Sequence, residues 1–342
     1  MAIDIYFDVN YGKLYEKIEN GKAVFYKYQS KGGIVTNQFI LREIPNVIKG
    51  EKWYDIITPY GYGGPIIEKI EAGYEKERLV SEYMEKFSEY CKKNKIVSEF
   101  IRFHPIVENG KDFLKPYNPK CIRHTLGTNL EKYDDPVQNE FSKKCRKNIR
   151  RALNKGVTWK ITSDPEQIEE FKKIYYSTMD RNKAEEYYYF DDNYFELLKE
   201  NFHNHLIYAE AIYKEKTIAA GLYFVYGDII HIHLSGTLSE YLYLSPAYIL
   251  RYAICCWGKT NGYALVHHGG GRSNSTEDGL YKFKKQFALN TEFEFYVGQK
   301  IWNEEIYDQL CELLKIDKNI DFFPAYRSVH KGGKNIAIDG KA

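Results

Sequence analysis

The sequence predicts an α+β chain whose sheets are mixed but mostly antiparallel and flanked by helices. Three observations carry this. Residues 206–213, 217–226 and 229–235 are strand-like runs separated only by the short turns 214–216 and 227–228, and links that short join antiparallel neighbours. Residues 75–94 place Leu79, Val80, Tyr83, Phe87 and Tyr90 at helical three-to-four spacing. From residue 157 onward the predicted order is β-α-α-β-β-β-α-β-α-β, with helices interspersed among strands.

The elements follow in order. Asn20-Gly21 is a strong tight-turn signal and predicts a hairpin over 11–28. Residues 53–58 read as a strand running into a Pro/Gly-rich loop, 59–65, that holds up Tyr60 and Tyr62. Residues 97–104 alternate, putting Phe100, Arg102 and His104 on one strand face. Residues 122–126 form another strand. Asp135-Pro136 starts a helix whose far end is the basic run 143–151, stopped by Asn154-Lys155-Gly156. A strand over 157–162 and helices from Asp164-Pro165 to about Arg181 and from Asp191 or Asp192 lead into the three strands. A helix capped by Ser245-Pro246 follows. Residues 263–266 are a buried strand, Gly269, Gly270 and Gly271 a turn, and a helix begins near Thr276 or Glu277. A strand over 292–297, a helix over 303–314 and an apolar tail with Leu313, Leu314, Phe322 and Phe323 complete the chain, and residues 332–342 read as disordered.

Composition excludes several classes. Among 342 residues, 44% are hydrophobic and 28% charged, ordinary for a globular protein large enough for one big core or two moderate ones. The net charge of +2 provides no global field for a polyanion, so any such contact is local. The 32 Tyr and 19 Phe supply rings that can line grooves. Cys91, Cys121, Cys145, Cys255, Cys256 and Cys311 contain no C-x-x-C pair and read as reduced thiols of a cytoplasmic protein. The N-terminus lacks a signal-peptide pattern and no apolar run is long enough to span a membrane.

Several residues are candidates for chemistry. Phe283, Lys284 and Phe287 set a cation between aromatics after the triple glycine, as an active-site wall would. Arg181 precedes Tyr187, Tyr188, Tyr189 and Tyr194, a setting that suits a diphosphate and a stacked base. His231 and His233 lie two apart on a strand, but no third ligand is near in sequence, so no metal is expected. His233 or His268 would face a substrate cleft, His233 serving as a base for an attacking ammonium. Lys143, Lys147 and Arg150 or Arg151 share a helix face that would contact transfer RNA or a lipid-linked diphosphate beside an anionic membrane.

The ordered set TPYGYGGP at 58–65, RFHP at 102–105, RKNIRRA at 146–152, HGGG at 268–271, Gly279-Leu280 with Phe283-Lys284 and Phe287, and FPAYR at 323–327 resembles the FemAB-type branch of the GCN5-like acyltransferases. The resemblance spans roughly residues 50–327. It implies two tandem GCN5-like modules: 1–134, completed by about 320–342, and 135–319, in a compact form without the helical hairpin of some peptidoglycan members. It implies N-acyl transfer, of an aminoacyl or acetyl group from aminoacyl-tRNA or acetyl-coenzyme A, to an amine of a nucleotide- or lipid-linked cell-envelope sugar precursor, with peripheral contact at the inner face of the membrane. It places the Phe283-Lys284 pair at the acyl-donor end, with Lys284 catalytic; the residues themselves add His233 as a catalytic candidate and Tyr60, Tyr62, Arg102, His104, Arg181, His268, Gly270 and Phe283 as substrate-binding candidates. The coenzyme A pyrophosphate cradle of such modules is poorly matched, since 235–245 holds only Gly236. That leaves two alternatives: an acetyl-coenzyme A-dependent amino-sugar N-acetyltransferase, and a non-catalytic nucleotide-sugar or carbohydrate-binding protein.

Overall fold

The structure, a computed structural model, describes residues 3–328. In chain order its strands are β1 (Gly21–Ser30), β2 (Gly33–Glu43), β3 (Tyr54–Ile57), β4 (Ile66–Ile70), β5 (Ile96–Arg102), β6 (Lys120–Asn129), β7 (Thr158–Ser163), β8 (Leu206–Tyr213), β9 (Lys216–Tyr226), β10 (Ile229–Thr237), β11 (Leu265–Gly269) and β12 (Glu292–Ile301). Its helices are α1 (Lys76–Lys93), α2 (Leu114–Tyr117), α3 (Pro136–Glu140), α4 (Lys143–Asn154), α5 (Glu169–Asn182), α6 (Asp192–Phe202), α7 (Pro246–Thr260), α8 (Gly279–Lys285) and α9 (Glu304–Leu313), with short 3₁₀ turns between them. The described chain divides into two compact units, one built from residues 3–123 together with 294–328, the other from 124–293. The expected boundaries at 134 and 319 differ from these, because they followed helix and tail signals whereas the observed divisions fall inside β6 and β12. Residues 332–342 lie outside the described residues.

Unit 1 is a mixed sheet in the order β1-β2-β3-β5-β12, with β4 on the far end of β2. Only β3 and β5 pair in parallel among its described strands. The hairpin expected over 11–28 is replaced by one between β1 and β2, turning at residues 31–32. Asn20 does take a left-handed conformation (φ 49°), but it launches β1 after a 3₁₀ turn, Gly12–Tyr15, rather than joining two strands. β5 is buried along its whole length, so the alternation seen in its sequence does not mark a solvent face. Leu79, Val80, Tyr83, Phe87 and Cys91 of α1 pack into a core with Val35, Phe39, Ile56, Ile101 and Phe103.

The returning chain is locked by charge. Asp55 on β3, 1% exposed, accepts from Arg42 at 2.8 Å and from Arg327 at 2.6 Å. Burial alone would push the Asp55 carboxyl up; the two guanidiniums overcome this and hold it below the usual carboxylate range. Tyr326 adds hydrogen bonds to Asp55 and Ser98, while Ile306, Tyr307 and Leu310 of α9 pack with Ile44, Val97 and Tyr326.

Unit 2 is a second mixed sheet, β6-β11-β10-β9-β8-β7, parallel only between β10 and β11. The expected single helix from Pro136 through the basic run is two helices. Phe141 is extended and the Ser142 hydroxyl accepts from the Cys145 N–H, so the chain is re-capped at α4. α5 begins at Glu169 rather than at Asp164, which has a positive φ of 50°. Cys145, Ile149 and Ala152 of α4 and Ile249, Leu250, Ile254 and Cys255 of α7 share a core with Tyr223, Ile230 and Val266. Gly236 of β10 lies under α5: a Cβ there would meet the Ile174 carbonyl oxygen at 2.7 Å. All six cysteines are free, and among the described residues no helix is long and apolar enough to cross a membrane.

Asp55→Ala leaves the buried Arg42 with Glu19 as its one remaining carboxylate and the half-buried Arg327 without this one, and is expected to cost about 3 kcal/mol, read by urea denaturation. Because the folded carboxyl lies below its unfolded value, its contribution is present above about pH 4 and fades as the pH falls through the folded value.

Candidate active site

The site in unit 2 starts from an interrupted ladder. β10 and β11 pair only from Ile229–Leu265 to His231–His267. β10 then bulges between Ile232 and Leu234, β11 between His267 and Gly269, and β10 runs on to Thr237 unpaired with β11. Two parallel strands that part in this way leave backbone groups off the ladder and a gap at the strand ends, the position where parallel sheets receive ligands.

The chain leaving β11 passes through Gly269, with φ 71°, and reaches α8. The Asp278 carboxylate caps α8 by accepting from the Tyr281 N–H at 2.8 Å. Burial raises the Asp278 carboxyl, but the N–H groups of Tyr281, Arg272, Leu280 and Ser273 outweigh it and hold the group below the usual range. The cap lies just inside the region expected to open the helix. Asp278 fills the role instead of Thr276 or Glu277 because its carboxylate reaches both the helix and the glycine loop.

This brings together four of the expected residues. Lys284 Nζ donates to the Gly270 carbonyl at 2.6 Å, holding a part-buried ammonium against the loop. Phe283 stands edge-on to Tyr248 at 5.3 Å and to Phe287 at 5.2 Å. His268, 1% exposed, meets Thr128 Oγ1 through Nε2 at 2.8 Å. Thr128 donates its one hydroxyl proton to the Phe287 carbonyl at 2.7 Å, so Nε2 of His268 must be the protonated nitrogen and Nδ1 carries a lone pair. That Nδ1 has no hydrogen-bond partner among the described residues. Burial first, then the charges of Arg251 and Lys284, push His268 well below its ordinary value, so the ring is neutral. The result is an acceptor nitrogen near an anchored cation, able to orient an N–H group while the cation polarises a carbonyl.

The other expected residues of unit 2 are elsewhere. His233 sits in the β10 bulge, with Nε2 2.6 Å from the Tyr194 hydroxyl and its ring 4.7 Å from Phe224. Burial, then the neighbouring His231, pull it down to about 3. A ring so enclosed is a poor proton acceptor at neutral pH, which is at odds with the role of base expected for it. His231 itself meets His267, Nδ1 to Nδ1 at 3.3 Å. Arg181 straps α5 to the end of β10, donating to the Thr237 carbonyl at 2.6 Å and the Thr237 hydroxyl at 3.0 Å. Its tyrosine neighbours pack among themselves, Tyr176 stacking on Tyr189 and Phe190 on Tyr194. Lys143, Lys147, Arg150 and Arg151 are exposed along α4 with no acidic partner among the described residues.

In unit 1, Tyr60, Tyr62, Arg102 and His104 do meet. Arg102 Nη2 donates to the carbonyls of Thr58 and Pro59, binding the glycine-rich loop to β5. Tyr62 stands edge-on to His104 at 5.4 Å, and the Tyr60 carbonyl accepts from Tyr11. His104 Nδ1 accepts from the N–H groups of Ile106 and Val107 and its Nε2 faces Asp4 at 3.4 Å. Burial pushes both tyrosine hydroxyls up. All four thus help to build the loop's enclosed aromatic base. Thr128 and Asp4 had no signal marking them as partners of these residues; Asp278, three residues before Tyr281, has the spacing of an N-cap.

Residues 140–285 match the family described as acetyltransferase (GNAT) domain. The chain is 25% identical over 175 residues to the UDP-N-acetylmuramoylpentapeptide-lysine N(6)-alanyltransferase of Weissella viridescens, a match covering 50% of this chain and 51% of that one, so it spans about half of that curated relative. The fold is similar to that of FemX (TM-score 0.65, 14% identity, covering 88% of this chain and 92% of that one) and of L-PGS from Bacillus licheniformis (TM-score 0.54, 15% identity, covering 89% and 95%). These matches define a GCN5-related acyltransferase. Within that class, the chain is similar to the FemAB-like branch, through the alanyltransferase relative and the fold of FemX.

Asp278→Ala is expected to leave the fold intact while costing about 1 kcal/mol through removal of the helix cap. Limited proteolysis should then show faster cleavage between 270 and 278 than in the parent protein.

Proposed function

We propose that the chain transfers an aminoacyl group to an amine of a peptidoglycan-type sugar-peptide precursor, by direct attack within a ternary complex. The observation that carries this reading is the Lys284 ammonium fixed on the Gly270 carbonyl beside the neutral His268 ring, where β10 and β11 part. Amide formation from an ester needs its carbonyl polarised and its oxyanion stabilised, and a pre-positioned ammonium supplies both. His268 Nδ1, a lone pair with no proton, would accept from the attacking amine and align it.

Two further observations support an aminoacyl-tRNA donor over acetyl-coenzyme A. Gly236, which would have to serve a pyrophosphate cradle, is taken up by the close approach of α5. The exposed face of α4 carries Lys143, Lys147, Arg150 and Arg151, suited to a nucleic-acid backbone. The alanyltransferase similarity supports a muramoyl-peptide acceptor.

Turnover of charged transfer RNA with a nucleotide-linked muramoyl pentapeptide tests the reading. Lys284→Ala should lower kcat by about 10²–10³-fold with little change in KM. Normal turnover by that variant, or transfer from acetyl-coenzyme A alone, would sink it. Charge reversal at Lys143, Lys147, Arg150 and Arg151 should weaken transfer RNA binding. The slope of its salt dependence should also flatten, by about 0.9 for each phosphate that no longer meets a cation.

A further inference from the structure

Arg251 points inward from the second turn of α7 and is 6% exposed. On its own helix it is flanked by the buried Leu250, Ile254 and Cys255, members of the apolar core that also holds Tyr223 and Val266. Among the described residues it has no acidic partner, and neither Nε nor Nη1 has an acceptor. Beside it lies Tyr223 of β9, 0% exposed. The Tyr223 hydroxyl is near enough to the guanidinium to feel its charge, yet it makes no well-formed hydrogen bond. That hydroxyl is placed by the backbone. Tyr223 bends over its own strand, and a Cβ on Gly221 would come within 2.4 Å of Tyr223 Oη. The third residue with an unsatisfied atom is His268 on β11, whose ring feels the Arg251 charge and whose Nδ1 has no partner.

Three elements thus direct unsatisfied polar atoms into one apolar core. A buried guanidinium with no counter-charge is among the costliest groups a core can hold, and a methionine of similar length would pack there without that penalty. Its retention is accounted for if the counter-charge comes with a ligand. The donor set sizes that ligand. One guanidinium supplies one positive charge, and with the phenol it presents a few N–H and O–H donors, matching the acceptor sites of a single carboxylate. A phosphate dianion would leave a negative charge uncompensated in the same core.

We propose that Arg251 and Tyr223 form a binding site for the carboxylate of an acidic acyl group, so that the aminoacyl unit transferred carries a side-chain carboxylate of the aspartyl or glutamyl kind. The assignment to the acyl group rests on the reading of unit 2 as the donor module. The carboxylate site itself does not.

The experiment therefore has two arms. In the first, the full chain and its Arg251→Met and Tyr223→Phe variants are melted in plain buffer, with succinate, and with inorganic phosphate. Succinate should raise the parent's Tm by about 3 °C, and phosphate should not. Arg251→Met should melt higher than the parent in plain buffer and should not respond to succinate, and Tyr223→Phe should respond less. A lower Tm for Arg251→Met, no response of the parent to succinate, or an equal response to phosphate would overturn the site. In the second arm, glutamyl-, aspartyl- and alanyl-transfer RNA compete as donors. An acidic donor should be preferred by at least about tenfold in kcat/KM, and Arg251→Met should erase the preference; preference for alanyl would overturn the acyl assignment. If no donor turns over while succinate still protects through Arg251, the carboxylate site stands and it is the transfer reading that has failed.

Discussion

The candidate site depends on the disposal of one proton. Thr128 has a single hydroxyl hydrogen, and the Phe287 carbonyl takes it. Everything downstream follows from that choice. His268 must then donate through Nε2, its ring is fixed in one orientation, and Nδ1 is left as a bare acceptor. The same bond ties the exit of α8 to β6, so the helix bearing Lys284 and the strand system bearing His268 are positioned by a shared contact. A buried polar group that is satisfied on one side and open on the other is costly anywhere except at a site that binds something.

Much of the architecture was legible because local signals agreed with the global fold. The three strands of unit 2 joined by short turns, the 3.6-residue rhythm of α1, the cap at Asp135 and the helices starting near Asp191 and Asn303 stand where periodicity and capping placed them, while the Lys284 helix begins a little later than expected. The failures have particular causes. Asn20-Gly21 is a turn dipeptide that here closes the turn leading into β1, and β2 was invisible because a strand buried on one side by α1 and paired along both edges need not alternate. Ser142 was overlooked because the helix pattern runs straight across it, although a serine there re-caps the chain. β12 is long because its second half pairs with β5, a partner nearly two hundred residues away in sequence that no local window reveals.

The candidate residues divide along the same line. Lys284, Gly270, Phe283 and His268 lie within a short stretch, and their convergence was readable from spacing. What tertiary structure alone decides is the environment. His233 and Arg181 have the right chemistry by type, but the bulge in β10 buries one ring against Phe224 and the strand end claims the other's guanidinium. Arg251 is the converse. In sequence it is one more arginine in a helix, and only burial on the inner face of α7, away from any carboxylate, gives it meaning.

The clamp on Asp55 has a consequence for synthesis. Unit 2 is one uninterrupted stretch of chain, whereas unit 1 needs β12, α9 and Arg327, which leave the ribosome only after all of unit 2. Until then β5 has an open hydrogen-bonding edge and the Asp55–Arg42 pair lacks its second guanidinium. The inserted module can therefore complete its folding first, while the enclosing one waits as a partial sheet, a nascent intermediate for which chaperones or the neighbouring chain must guard an exposed strand.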